Sequence, residues 1–165
     1  MERLGALLLA VAIMACDKQE SQQSAPTTSF YYPFNTGQSD LNTAYTGDHP
    51  SNFRAQMRLT KVDSGGTLVR ITFYHTLDGE TYAVHAHDYD PDSTIGQPYE
   101  FAVNTEVFNQ NPVGNGDTVE VTQYSPYSPA YLKEEYQGYF IVHDPLQPVQ
   151  TKKPATFLIA GRFAR

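Results

Sequence analysis

Apolar and polar residues alternate along several short runs of the chain. Two such runs, residues 53–62 and 67–74, flank the segment Asp63-Ser64-Gly65-Gly66. A period of two is typical of half-buried strands, and the glycine pair supplies the positive φ that a tight turn needs. The pattern therefore predicts a β-hairpin across residues 53–74.

Further runs with strand character follow, separated by turn residues. They cover residues 80–87, 99–108, 117–124, 138–144 and 155–163. One segment, Ser128–Gln137, is a candidate for a turn or two of helix inside a loop. About seven short strands without a long helix predict an all-β fold, an antiparallel β-sandwich over residues 51–165.

The chain before residue 51 has a different composition. Residues 1–15 hold an apolar run too short to span a bilayer, which is typical of a signal peptide. Residues 16–29 are polar and rich in Gln and Ser, so they are predicted to form a flexible tether. Residues 30–50 gain aromatic residues between Gly, Asn and Pro, and they predict an irregular lead-in that packs on the sandwich, with room for one short strand.

The end of the apolar run, Ile13-Met14-Ala15-Cys16, resembles a bacterial lipobox. The resemblance implies cleavage before Cys16, lipidation of that cysteine, and a membrane-anchored protein of the bacterial cell envelope that faces the periplasm. The alternative is an ordinary signal peptide that contains a cysteine. Cys16 is the single cysteine of the chain, which excludes an intramolecular disulfide.

Charge and aromatic content limit the partners. The formal net charge is −7 and no basic cluster is present, which argues against nucleic acid. The chain has 12 Tyr and no Trp, and residues 123–139 are rich in Tyr. Because Tyr is enriched at interfaces, this loop is a candidate contact with a membrane protein complex, the alternative being plain loop packing.

Histidines carry the candidate chemistry. In the run 80–87, strand alternation places Tyr82, Val84 and Ala86 on an inward apolar face and His85 and His87 on the outer face. His143 takes the outer face at the end of the run 138–144. If the two strands are neighbours, three imidazoles meet, and imidazole suits copper and zinc.

Three further side chains accompany this trio as weaker candidates. Asp88 and Asp144 each follow a histidine directly, and they are candidates to orient the rings or, alternatively, solvated loop acids. His49 is a candidate extra ligand, the alternative being a surface loop histidine.

The segment 77–91, LDGETYAVHAHDYDP, resembles the copper-binding strand of copper/zinc superoxide dismutases. The segment 138–144 resembles a later strand of that family, and the segments 54–79 and 154–163 resemble its opening hairpin and closing strand. The resemblance implies a Greek-key β-sandwich or barrel of immunoglobulin-like architecture. It also implies that His85, His87 and His143 are copper ligands.

The chain departs from the family between its last two matched histidines. Residues 88–142 contain no histidine and no cysteine, so the bridging ligand and the zinc ligands of the family have no counterpart. The resemblance therefore leads us to expect copper without zinc, and it leaves enzymatic activity open. The predicted function is an envelope lipoprotein that binds copper in a redox or copper-handling role. The alternative is a non-catalytic accessory subunit of a membrane complex with a vestigial metal site.

Overall fold

The structure is a computed structural model that describes residues 27–92 and 97–164. The predicted signal peptide, the lipidation at Cys16 and most of the predicted tether lie outside these residues. The described strands are β1 (Thr27–Pro33), β2 (Arg54–Lys61), β3 (Thr67–Tyr74), β4 (Val84–Tyr89), β5 (Tyr99–Val103), β6 (Asn109–Gln110), β7 (Val119–Ser125), β8 (Tyr139–His143) and β9 (Phe157–Arg162).

The strands form two sheets. One sheet has the order β1-β2-β3-β7, and the other has the order β5-β4-β8-β9 with β6 paired to β4. Every neighbouring pair is antiparallel, and the two sheets pack together. The predicted all-β antiparallel sandwich is confirmed. The Greek-key connectivity and the superoxide dismutase-like architecture stay predictions.

The hairpin predicted from the alternating pattern joins β2 and β3. The two strands pair along their whole length, from Arg54 opposite Tyr74 to Lys61 opposite Thr67. Gly65 in the connecting turn has φ +92°, a conformation that glycine adopts without steric cost. One face of the hairpin enters the core, because every second side chain points to the same side; its apolar members are Ala55, Met57, Leu59, Val69, Ile71 and Phe73.

The first strand begins earlier than the composition indicates. β1 pairs with β2 from Thr27 to Pro33, so the last three residues of the predicted tether belong to the sheet. The segment Thr27-Thr28-Ser29 carries no apolar side chain, and its hydrogen bonds to β2 are what place it in a strand. Residues 30–33 complete this edge strand, and they fall where the predicted lead-in had room for one short strand.

Helical structure is limited to two short turns in the described chain. Tyr131–Glu135 form a single π-helical turn within the helical candidate 128–137, and Pro154–Thr156 form a 3₁₀ turn. Neither turn has the length or apolar character needed to cross a membrane.

Two hydrophobic clusters flank the second sheet. The main core lies between the two sheets and contains the inward residues of β4 and β8, such as Val84, Ala86 and Phe140. A smaller cluster on the other face of the second sheet contains Ile141, Tyr139, Tyr99, Phe157, Ala160 and Leu41. Both faces of β4 and β8 are therefore buried.

Residues 34–49, the covering segment, contribute to this second layer. Asn35 N–H donates to Leu158 O at 2.8 Å, and Ala160 N–H donates to Thr36 O at 2.9 Å, so the segment runs along β9. The buried Gln38 amide donates to Phe157 O at 2.8 Å. These bonds hold the covering segment against the sheet that carries the histidines.

Candidate metal centre

The three predicted histidines meet because β4 and β8 are neighbours. In their antiparallel register His85 lies opposite Ile141, and the N–H of His143 donates to Ala83 O at 3.0 Å. His143 therefore sits diagonally beside His85, while His87 lies two residues further along the same face of β4. The condition that the sequence could not settle, adjacency of the two strands, is met.

The geometry is close to that of a three-nitrogen site. One ligand nitrogen from each of His85, His87 and His143 lies within 4.8 Å of the others. Metal–imidazole bonds of about 2.0–2.1 Å place such nitrogens roughly 3.3–3.6 Å apart in tetrahedral or trigonal coordination. Side-chain rotations that move these nitrogens by about an ångström would bring all three to coordinating distance of one ion.

The trio is buried. His87 is 0% exposed, His143 is 1% exposed and His85 is 6% exposed. The outer face of β4 and β8 is not open to solvent, because the second hydrophobic cluster covers it. The ring of Phe157 packs edge-on against His143 at 4.8 Å, and the ring of Tyr99 lies 5.5 Å from that of His87.

A distortion of the β4–β5 ladder orients His87. His87 pairs with Val103 and Tyr89 pairs with Tyr99, so three residues of β5 face one residue of β4. Bulges of this kind free backbone groups from the ladder and occur next to functional sites. The freed carbonyls of Glu100 and Ala102 both lie within reach of His87 Nδ1, at 2.9 and 3.1 Å.

These carbonyls select the tautomer of His87. A carbonyl accepts only, so Nδ1 carries the proton and Nε2 presents its lone pair. His85 Nδ1 lies 2.9 Å from that Nε2 and donates to it. The two nitrogens therefore face each other, and side-chain shifts that separate them to coordinating distance would let one metal ion take the place of the shared proton. A backbone carbonyl behind a ligating imidazole is a recurrent support of metal sites.

His143 has no hydrogen-bond partner for either ring nitrogen among the described residues. A neutral imidazole has one donor and one acceptor, and leaving such groups unpaired in the interior costs about 1–3 kcal/mol each. A buried histidine with two unpaired nitrogens beside two other histidines therefore lowers the stability of the fold if its role is purely structural. Metal ligation of one nitrogen would offset part of this cost.

The environment keeps the trio uncharged. Burial lowers the pKa of His85 to about 4, and the neighbouring His87 adds to the effect. Burial lowers the pKa of His143 to about 3, with further contributions from His85 and His87. Burial also lowers the pKa of His87, against the opposing effect of its two carbonyl partners. Neutral imidazole is the form that binds metals.

The two acids that follow the histidines bond elsewhere. Asp88 Oδ1 accepts from the Asn104 amide at 2.7 Å and from the Tyr136 hydroxyl at 2.8 Å, on the opposite face of β4. The buried Asp144 accepts from the Tyr45 hydroxyl at 2.6 Å, the Gln147 amide at 2.7 Å and the Leu146 N–H at 2.9 Å. The prediction that these carboxylates orient the rings is therefore wrong. Asp144 instead ties the covering segment to the loop after β8.

His49 is buried, not a surface loop residue. It is 4% exposed, and its ring packs edge-on against Phe53 at 5.1 Å. Its Nε2 bonds to the Tyr82 hydroxyl at 2.9 Å and its Nδ1 to Pro50 O at 3.1 Å. Both nitrogens are used in the main core, so His49 does not join the trio as a fourth ligand.

Sequence reasoning missed the groups that support the site. The carbonyls of Glu100 and Ala102 leave no trace in side-chain chemistry, since any residue carries a carbonyl. Tyr99 and Phe157 could have been found as outer-face residues of neighbouring strands, but only once the strand order was known.

Comparisons of the chain with protein-family models, with curated proteins and with solved structures found no match. The case for a metal centre therefore rests on the residues of the site alone.

Proposed function

We propose that this protein is a copper-binding lipoprotein of the bacterial cell envelope, anchored through Cys16, with a superoxide dismutase-like domain. His85, His87 and His143 hold the copper ion, and the role is redox chemistry or copper handling. The observation that carries the proposal is the convergence of three buried ligand nitrogens within 4.8 Å.

The donor set supports copper. All three ligands are neutral nitrogens, and the acids nearest in sequence bond to other groups. A buried site without an anionic ligand disfavours highly charged ions. Trigonal coordination by three imidazoles suits Cu(I), whereas zinc held by three histidines takes a water molecule as its fourth ligand, which so buried a site disfavours.

Restricted access favours copper handling over turnover. His85 is the most accessible of the trio at 6% exposure, and the rings of Tyr99 and Phe157 pack against the other two histidines. The chain also has no histidine between His87 and His143 to act as the bridging ligand of the resembled family. Tight binding without rapid dismutation is the expected behaviour.

Copper titration of the purified protein tests the proposal. The parent is expected to bind one equivalent of copper by metal analysis when it is titrated with Cu(I) under reducing conditions. Titration with Cu(II) is expected to give an electron paramagnetic resonance spectrum with nitrogen hyperfine structure. The His85→Ala/His143→Ala variant is expected to bind none.

A matched control removes a histidine outside the trio. His75→Asn is suitable, because His75 has φ +59° and Asn tolerates that conformation. This variant is expected to bind copper like the parent. Equal copper binding by the double variant, or no specific copper in the parent, would reject the site and leave a non-catalytic accessory role as the better account.

A further inference from the structure

A second site lies on the opposite side of β4 from the histidines. A cavity of about 400 Å³ opens there, and its lining includes Asp88, Asn104, Tyr127, Tyr131 and Tyr136. This volume is within the range of small-molecule sites. The tyrosines belong to the Tyr-rich loop 123–139, which the copper site does not use.

In this cavity the described residues form hydrogen bonds with only one of the two carboxylate oxygens of Asp88. Asp88 Oδ1 accepts hydrogen bonds from the Asn104 amide at 2.7 Å and the Tyr136 hydroxyl at 2.8 Å. Asn104 is itself fixed, because its amide oxygen accepts from Val107 N–H at 3.2 Å. Both of the bonds to Asp88 go to Oδ1, and no described residue forms a hydrogen bond with Asp88 Oδ2, which leaves that oxygen to face a ligand.

The tyrosine rings form a continuous aromatic wall. Tyr127 and Tyr131 are stacked with centroids 5.0 Å apart, and Tyr131 lies 6.4 Å from Tyr136. Burial and the bond to Asp88 raise the pKa of Tyr136, so its hydroxyl remains a donor to the carboxylate. The Tyr127 hydroxyl donates to a second carboxylate, Glu106, at 3.0 Å.

The charge of the cavity selects its ligand. The described lining residues include no Lys or Arg, while Asp88 lines the cavity and Glu106 lies at its aromatic edge. Aromatic faces attract cations within about 6 Å of the ring centroid, and a carboxylate adds a direct ion pair. Anions are disfavoured by the same groups.

We propose that this cavity binds an organic ammonium group, with Asp88 as its counter-ion and the rings of Tyr127, Tyr131 and Tyr136 as its wall. The ligand is either a small quaternary ammonium compound or the amine of a lysine side chain. The site is independent of the proposed copper site, since Asp88 lies on the opposite face of β4 from His85 and His87.

Paired titrations of the full chain test the proposal. Choline is compared with its uncharged isostere 3,3-dimethylbutan-1-ol, and butylammonium, a mimic of the lysine side chain, with butan-1-ol. Binding is followed by the shifts of backbone amide resonances in nuclear magnetic resonance spectra. At least one cation is expected to shift residues of the cavity, with about tenfold weaker binding of its uncharged partner. The better cation distinguishes the two sources of the ligand.

Variants separate charge from shape. Asp88→Asn keeps an oxygen for the two existing hydrogen bonds but removes the charge, so about a tenfold loss of cation affinity is expected. Tyr131→Leu is expected to weaken binding severalfold. Asp63→Asn, in the exposed β2–β3 turn, is the matched control for net charge and should leave binding unchanged. Shifts by neither cation, equal binding of the uncharged partners, or unchanged binding by Asp88→Asn with a native spectrum would each overturn the proposal.

Discussion

The metal-free protein is expected to lose stability in mild acid because its histidines are buried. Burial lowers the pKa of His85 to about 4 and that of His143 to about 3, whereas histidine in an unfolded chain titrates near pH 6.5. Below that pH the unfolded chain takes up protons that the folded protein does not. The free energy of unfolding therefore falls as the pH falls.

The magnitude follows from the pKa difference. At pH 5 each of these two histidines is mostly protonated in the unfolded chain and mostly neutral in the folded protein. This difference amounts to about 2 kcal/mol per histidine and about 4 kcal/mol for both. The loss begins near pH 6.5 and continues until the pH reaches the folded-state pKa values. Burial also lowers the pKa of His87 and His49, which act in the same direction.

Urea unfolding at pH 7.5 and pH 5.0, in the presence of a chelator, measures this loss. The comparison protein is the His143→Phe variant, which has the same carboxylates and therefore the same background titration. Its loss of unfolding free energy between the two pH values should be about 2 kcal/mol smaller than that of the parent. Identical losses in the two proteins would refute the assignment of a depressed pKa to His143.

Four further substitutions have expected outcomes. His143→Phe should raise the free energy of unfolding at pH 7.5 by about 1 kcal/mol or more, because it removes two unpartnered nitrogens. A lower free energy of unfolding in urea would contradict this expected stabilisation. The same variant should lose copper binding. Asp144→Asn should cost about 1–3 kcal/mol in the same assay, since a buried carboxylate with three hydrogen bonds loses its charge; a cost below that of Asp63→Asn would be inconsistent with its role. Gly37→Ala should lower the melting temperature by several degrees, because Gly37 has φ +79° and a Cβ there would clash with the carbonyl oxygen of Ala160. An unchanged melting temperature would show that the covering segment shifts easily to make room. Cys16→Ser should abolish incorporation of labelled palmitate in bacterial cells, and labelling of the variant would exclude the lipobox.

Local pattern accounts for much of the fold. Alternation is a property of neighbouring residues, so it correctly divided β8 into Phe140 and Val142 on the core face and Ile141 and His143 on the other. The turn at Gly65 and the β2–β3 hairpin are equally local. The same alternation places Asp88 on the face of Ala86, away from His87. The prediction that Asp88 orients a histidine ring relied only on its being next to His87 in the chain.

Non-local contacts decided the character of the metal centre. Which strand pairs with β4 depends on the packing of the whole sandwich, so the meeting of His143 with His85 could be stated only as a condition. The burial of the trio depends on rings such as those of Tyr99 and Phe157, which come from other strands.

The sequence alone therefore specified the all-β pattern, the β2–β3 hairpin, the faces of β4 and β8 and the identity of the three candidate ligands, because these depend on residue type and a period of two. Only the tertiary structure decided three other features of the site. The outer face is buried, the carbonyls of a β5 bulge accept hydrogen bonds from His87, and His49 belongs to the main core. The physical reason is that burial and backbone hydrogen bonding depend on which distant segments come together, and backbone carbonyls carry no sequence signal.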